Sequence, residues 1–419
     1  MLTDGGKTRR TKIAVIGGGA AGLMACGAAY DASGGSADIT LFERNEKTGK
    51  KLYITGKGRC NVTNDCAPSE FLKNVVGNPK FLFGAINRFS PSDTAELLEK
   101  YGTPVKVERG NRVFPVSDHA SDVIRALSAY ARRGCAVRLG ERVREVSAAK
   151  EGFLLKTDGG VFEADKVVIA TGGITYPTTG SDGDGYAFAK SLGHNIIPPC
   201  PALVPLILEE DVSALEGLAL KNVRASLSVG GKHFDRFGEM LFTADGASGP
   251  IILTLSSLAA RYGCSGARLS IDLKPALDRE TLDARILSDF GKFSNRLLRN
   301  SLGELLPASL IPYIIGYASL PADKPVHSVT AAERERLLRA LKGLEFTVRS
   351  ADGPAHAVVT SGGVDVKEID PKTMESKLIG GLYFAGEVID VDALTGGFNI
   401  QIALSTGYVA GLSAGGAND

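Results

Sequence analysis

Almost no net charge is carried by this chain: 48 Lys and Arg stand against 47 Asp and Glu, a formal +1. A strongly electrostatic partner is therefore not required, although local basic patches remain. Cysteine is sparse and poorly spaced for metals. None of Cys26, Cys60, Cys66, Cys135, Cys200 and Cys264 forms a C-x-x-C pair or another ligand spacing, so no metal site is expected, and the thiols read as the reduced ones of a cytoplasmic protein. The polar residues 1 to 10 lack an apolar core and do not read as a signal peptide. The uncharged run at residues 13 to 29 is broken by glycine and alanine and does not read as a membrane span. Repeats and low-complexity tracts are absent. With 419 residues the chain exceeds one ordinary domain, so two or three domains are expected.

What is present is glycine, 51 of them, and the arrangement of a few is informative. Residues 13 to 16 (Ile-Ala-Val-Ile) are the apolar run of a strand covered on both faces. Gly17, Gly19 and Gly22 follow as G-x-G-x-x-G, opening a helix at Ala20 and Ala21. Gly17 permits the tight turn, Gly19 admits a pyrophosphate to the backbone, and Gly22 allows close helix-to-sheet packing. A second strand at residues 38 to 42 ends at Glu43, about 20 residues beyond the last glycine, where a carboxylate binds an unphosphorylated ribose. The expected ligand is FAD or NAD. No second G-x-G-x-x-G lies in a strand-turn-helix setting, so NAD(P)H, if used, docks transiently rather than in its own domain.

Residues 44 to 64 read as a basic, turn-rich functional loop in which Arg44, Lys50, Lys51, Lys57 and Arg59 face an anion, with a solvated loop as the plain alternative. Cys60 and Cys66 are one residue further apart than the C-x-x-x-x-C of flavin disulfide reductases, so free thiols are expected. Residues 90 to 101 form a helix, residues 105 to 107 and 112 to 114 a hairpin, and Asp118 caps the next helix, which runs to residue 133. Strands follow at 136 to 139, 142 to 147, 152 to 157 and 161 to 169, the last closing on Ala170-Thr171-Gly172-Gly173 as in two-domain flavoproteins. From Pro198 prolines mark a boundary; residues 203 to 275 read as β structure and 278 to 344 as helical, with Thr330 and Glu333 forming a capping box. Arg285, Lys292, Arg296 and Arg299 give the helical piece a basic face, more often merely solvated than a partner surface. A last strand at 382 to 385 ends at Gly386-Glu387, and Gly396-Gly397-Phe398-Asn399-Ile400-Gln401 opens the terminal helix. Such a positive helix end stabilises the charge of a reduced flavin ring.

With these motifs the chain resembles the BaiN/RdsA-type (YhiN-like, aminoacetone-oxidase-like) bacterial flavoproteins. The matching blocks are residues 13–22, 55–64 (Thr-Gly-Lys-Gly-Arg-Cys-Asn-Val-Thr-Asn), 112–117, 170–173, 239–243, 248–250, 373–377 and 380–401. The family pattern carries a His after Leu-Phe-Thr; here Ala244 stands in its place. The resemblance implies an α/β protein: a split Rossmann-like FAD-binding domain (1–198 and 345–419) with an inserted β-barrel domain (199–276) and a helical segment (277–344). It implies FAD as cofactor and NAD(P)H as co-substrate of an oxidoreductase in which flavin N5 exchanges hydride with an organic substrate. Uracil of ribosomal RNA, reduced to dihydrouridine, and a non-catalytic FAD- or RNA-binding role are the alternatives; the oligomeric state is left open. Motifs and resemblance together put the cofactor against Gly17, Gly19, Ala20, Ala21, Gly22, Glu43, Arg44, Lys51, Arg59, Cys60, Asn61, Val143, Ala170, Thr171, Gly172, Gly386, Glu387, Gly397, Phe398, Asn399, Ile400 and Gln401. Cys60, Tyr176 and Glu387 are weak candidates for acid–base chemistry.

Overall fold

A computed structural model describes residues 9–355 and 357–416, so most of the polar leader lies outside the described residues. The chain divides into two compact units, one running to Pro201 and resuming at Val358, the other Ala202–Ala357.

In the first unit five parallel strands form one sheet, in the order Leu382–Phe384, Lys166–Ile169, Lys12–Ile16, Asp38–Glu43, Cys135–Leu139. The apolar runs of Lys12–Ile16, Lys166–Ile169 and Leu382–Phe384 are buried almost without alternation, as expected where both faces are covered, whereas the edge strand Cys135–Leu139 is not buried. The strand order reverses at Lys12–Ile16, whose two neighbours lead to opposite halves of the sheet. A ligand crevice belongs at the carboxyl ends of strands at such a switch point. Gly17 follows one of these strands and Ala170 the other, and they nearly touch: a Cβ on Gly17, at φ 104°, would lie 2.5 Å from the Ala170 carbonyl oxygen.

The helix after the first strand, Ala20–Ala32, packs against the terminal helix Phe398–Gly415. Cβ atoms on Gly407, Gly411 and Gly415 would lie 2.4, 2.3 and 2.6 Å from the carbonyl oxygens of Ala21, Ala25 and Ala29. Glycine every fourth residue thus lets the two backbones meet in parallel, which sets the start of the first helix beside Gly407, in the middle of the terminal one.

Three local expectations change. The run 161–169 is two strands, Gly160–Ala164 in a small antiparallel sheet with Val143–Ala148 and Phe153–Thr157, and Lys166–Ile169 in the parallel sheet. Asp165 makes the break, its carboxylate accepting the Lys12 N–H (2.7 Å) and pairing with Arg9 (2.6 Å). Residues 44–64 are not all loop, since Lys50–Ile54 is helical. Asp118 does not cap the helix Ala120–Ala131; it sits at φ 58° and takes Arg59 and Lys106 instead.

In the second unit six strands close a barrel, in the order Leu206–Leu208, Gly246–Ser248, Lys232–Thr243, Ala219–Val229, Arg268–Asp272, Leu344–Ala351. The hairpin turning at Gly230-Gly231 is its longest pairing. On its first arm Leu220, Val223, Ala225 and Leu227 point inward, with a bulge at Asn222 (φ 55°) inserting the one extra residue that keeps Leu220 and Val223 on the same face. The sixth strand needs Leu344, Phe346 and Val348 in the barrel core, so the chain rejoins the parallel-sheet unit at Val358 rather than at residue 345. Helices Pro250–Ala259, Arg279–Lys292, Leu310–Tyr317 and Ala331–Lys342 complete the unit, the first interrupting the stretch 203–275 read as β structure and the last opened by the Thr330/Glu333 capping box.

Candidate functional site

Three segments of the first unit converge at the carboxyl end of its sheet. The glycines of the first turn fall into two kinds. Gly17 and Gly22 are demanded by the protein itself: a Cβ on Gly22 would lie 1.9 Å from the Gly17 carbonyl oxygen. Gly19 is different. Its backbone is ordinary (φ −80°) and a Cβ there would meet nothing within 4 Å. The protein leaves space at the residue that begins a helix with no side-chain cap, the arrangement that receives a pyrophosphate.

Beside it, Glu43 is buried and accepts the N–H groups of Gly18 (2.8 Å) and Asn45 (2.8 Å), which hold its carboxylate at the strand end. Arg44 next along the chain is ion-paired to Asp182, and Arg142 ties Asp182 and Asp184 together. Val143 is buried at the start of the small antiparallel sheet. Thr171 follows the strand carrying Ala170, its buried hydroxyl oxygen without a hydrogen-bond partner, and Gly172 (φ 78°) has no room for a Cβ against Ser181.

The last turn closes on the first. A Cβ on Gly386 would lie 2.9 Å from that of Ala21, and the Gly386 N–H donates to the Thr406 hydroxyl (2.9 Å). Glu387 receives Lys51 (2.6 Å), the Thr175 hydroxyl (3.0 Å) and the Thr360 N–H (2.8 Å). Burial pushes its carboxyl up, but the Lys51 ammonium and the Thr360 N–H outweigh it and hold the group below the usual carboxylate range. Sequence reasoning missed Thr175 and Thr360, which lie in no recognised motif. Gly397, at φ 94°, begins the terminal helix without a side-chain cap. Asn61 accepts its N–H (3.0 Å) while donating to the Thr63 (3.1 Å) and Val113 (3.3 Å) carbonyls. Asn399 braces the preceding loop through the Ala393 N–H (2.9 Å) and carbonyl (2.7 Å), and Phe398 and Ile400 complete the helix's first turn.

Some expected ligands face elsewhere. Arg59 is bound by Glu108 and by Asp118 (2.8 Å) over the Phe114 ring, so its charge is spent within the protein. Gln401 is fully buried, accepting from the Thr94 hydroxyl (2.7 Å) and donating to the Phe89 carbonyl (3.1 Å). Cys60 is fully buried too, and burial pushes its thiol up to about 12. None of the six cysteines is joined in a disulfide. The basic helical face is largely neutralised: Arg285 and Lys292 share Asp289, Arg299 pairs with Asp323, and Arg296 lies over the Phe293 ring. Among the described residues no group of His, Cys, Asp and Glu could hold a metal ion, and no helix is long and apolar enough to cross a membrane.

An uncapped helix facing empty space, a carboxylate at the neighbouring strand end and a second uncapped helix suit the pyrophosphate, ribose and ring of one extended dinucleotide. Residues 11–413 match the model of the HI0933-like protein Rossmann domain. A 3-dehydro-bile acid delta(4,6)-reductase of Clostridium scindens is 32% identical over 96% of this chain and 98% of its own length. A ribosomal RNA dihydrouridine synthase of Escherichia coli is 32% identical over 94% and 95%. In fold the chain is similar to a 3-ketosteroid delta1-dehydrogenase from Sterolibacterium denitrificans (TM-score 0.51, 12% identity, 98% of this chain and 100% of that one). It is also similar to E. coli quinol fumarate reductase FrdA (TM-score 0.50, 15% identity, 98% and 71%). The chain belongs to the HI0933-like Rossmann-domain family and is an FAD-dependent oxidoreductase.

Proposed function

We propose that this chain is a cytoplasmic enzyme that reduces a carbon–carbon double bond conjugated to a carbonyl, with NAD(P)H docking transiently to supply the electrons. The names of two full-length relatives support the reaction class. A 3-dehydro-bile acid with 4,6 unsaturation and the uracil of ribosomal RNA both present an alkene conjugated to a carbonyl. The observation that carries the reading is the space at Gly19 between an uncapped helix and Glu43. FAD bound there supplies two-electron chemistry at N5.

The chain's own residues divide the remaining work. Glu43 receives ribose hydroxyls, the N–H groups at Ala20 to Gly22 receive pyrophosphate, and those at Phe398 to Ile400 receive the charge that develops on the ring. The small residues Ala170 to Gly172 let the backbone pass close to the cofactor. Glu387 stays ionised beside Lys51 and so donates no proton at neutral pH. Cys60 is out of reach of solvent and substrate alike. Of the three acid candidates, Tyr176 remains: it is half-buried and, among the described residues, its phenol is unengaged. Tyr176 is therefore assigned the proton that follows hydride to the substrate.

A small organic substrate is preferred over RNA, because the segment that looked basic pairs its cations internally. The RNA reading stays as the second one on the strength of the dihydrouridine synthase relatives. Anaerobic protein reduced by NADPH or NADH is mixed with a 3-keto-4-ene steroid or, separately, with ribosomal RNA from cells lacking the gene. Reoxidation by the enone supports the preferred reading, and dihydrouridine formation alone supports the second. A flavin that no nicotinamide nucleotide reduces, or that neither acceptor reoxidises, contradicts both.

A further inference from the structure

A cleft of about 430 Å³ in the first unit borders the last turn, sharing Asn61 and Phe398 with it, and extends to a part of the surface not yet described. Asn61, Asn64, Arg109, Arg112, Gly396 and Phe398 are the lining residues that define its chemistry. The hairpin Val105–Glu108 and Arg112–Pro115 reverses through Gly110 (φ 78°) and Asn111 (φ 57°), so Arg109 and Arg112 flank one tight turn. Asn64 locks that turn in place: its amide donates to the Gly110 carbonyl (3.0 Å) and to the Gly396 carbonyl (3.1 Å), tying the hairpin tip to the turn that opens the terminal helix.

The charges of the cleft do not balance. Elsewhere in this unit Arg44, Arg59, Arg133, Arg138, Arg142 and Arg144 each meet a carboxylate. Arg112 donates to the Arg109 carbonyl (3.0 Å) and lies over the Phe114 ring (5.8 Å) but meets no carboxylate, and the Arg109 guanidinium has no partner among the described residues. Glu70, the one carboxylate of the lining, is already taken by Lys73 (2.7 Å). Two guanidiniums that meet no carboxylate therefore border a cleft whose other walls are rich in asparagine amides and carry the Phe398 ring, a donor set for a phosphate joined to a hydrogen-bonding heterocycle. The cleft also reaches Phe398, the first residue of the helix that receives the redox ring.

We infer that this cleft docks the adenosine 2′-phosphate end of NADPH, with Arg109 and Arg112 holding the phosphate, and that NADPH rather than NADH is the electron donor. The inference rests on the proposal that a nicotinamide nucleotide reduces the flavin, and it gives that donor the place that the missing second dinucleotide turn does not. One hydride carrying two electrons leaves nicotinamide C4, giving NADP⁺, and is accepted at flavin N5; the accompanying proton comes from water.

Calorimetric titration of the FAD-loaded protein with NADP⁺ and NAD⁺ tests it without turnover. Wild type should bind NADP⁺ about 10- to 100-fold more tightly than NAD⁺, the range expected for charge-assisted hydrogen bonds. Replacing both arginines (Arg109→Gln with Arg112→Gln) should abolish that preference while FAD content and melting temperature stay unchanged; both sites are exposed, so folding is not at risk. Equal affinities in wild type, or an undiminished preference in the double variant, overturn the inference. So does arginine-dependent binding of a short uridine oligonucleotide where NADP⁺ does not bind, which would make this a substrate site. If dithionite bleaches the flavin but neither NADPH nor NADH does, the donor site falls and FAD binding stands; protein purified without flavin would instead remove the reading beneath it.

Discussion

The two strand-to-helix turns look alike in sequence, each a glycine cluster ahead of an alanine-rich or mixed helix, yet they use glycine for opposite reasons. At the first turn Gly19 could carry a side chain as far as the protein is concerned, since a Cβ there meets nothing. At the last turn Gly397 could not: at φ 94° its Cβ would lie 2.3 Å from the Thr63 carbonyl oxygen. One glycine is kept for a ligand and the other for the chain itself. Substitutions at the two should therefore separate cofactor loss from folding loss.

Gly397→Val should have the largest effect. It combines a strained backbone with a clash against the segment that carries Asn61, Thr63 and Asn64, and should cost about 4 kcal/mol or more, so that the protein is recovered mainly as aggregate. Expression of soluble, cooperatively melting protein would show that the last turn is as tolerant as the first.

Lys51→Met comes next. It strands the Glu387 carboxylate, whose side chain is only 18% exposed, and breaking such a pair costs about 3 kcal/mol. The pH dependence has a definite sign. Because the folded Glu387 carboxyl lies below its usual 4.5, its contribution is present above that value and is lost as pH falls through the lower, folded one. Wild-type melting temperature should thus drop as the solution is acidified below about pH 4.5, and the Lys51→Met drop should be shallower. Parallel curves would deny that Lys51 holds this carboxylate.

Thr330→Ala should have the smallest effect, about 1 kcal/mol from the lost cap of Ala331–Lys342, with flavin content unaltered. Flavin released by this change would contradict confining the cofactor to the two turns.

The parallel sheet, its first turn and the terminal helix were legible because each rests on a local pattern: an apolar run, glycines at fixed offsets, a carboxylate at the next strand end. Asn61 was found by motif, but its role is to hold the Gly397 N–H. Arg59 and Gln401 misled because their partners, Glu108, Asp118, Thr94 and the Phe89 carbonyl, lie far along the chain and only the fold brings them close. The same applies to the basic helical face, which spacing alone shows as charged and tertiary pairing neutralises. The last barrel strand escaped because Leu344, Phe346 and Val348 alternate like any half-buried strand and carry no mark of the sheet they join. The acidic partners of Arg44 lie likewise beyond any local pattern, at Asp182 and Asp184.

The most direct test of the central claim is the flavin content of purified Gly19→Val protein, read as the 450 nm absorbance band against protein concentration, together with its circular dichroism and melting curve. The branched side chain springs from a Cβ that meets nothing within 4 Å and enters the space left for the pyrophosphate, so the protein should fold and melt like wild type but be colourless. Stoichiometric FAD in a folded Gly19→Val protein would contradict the account.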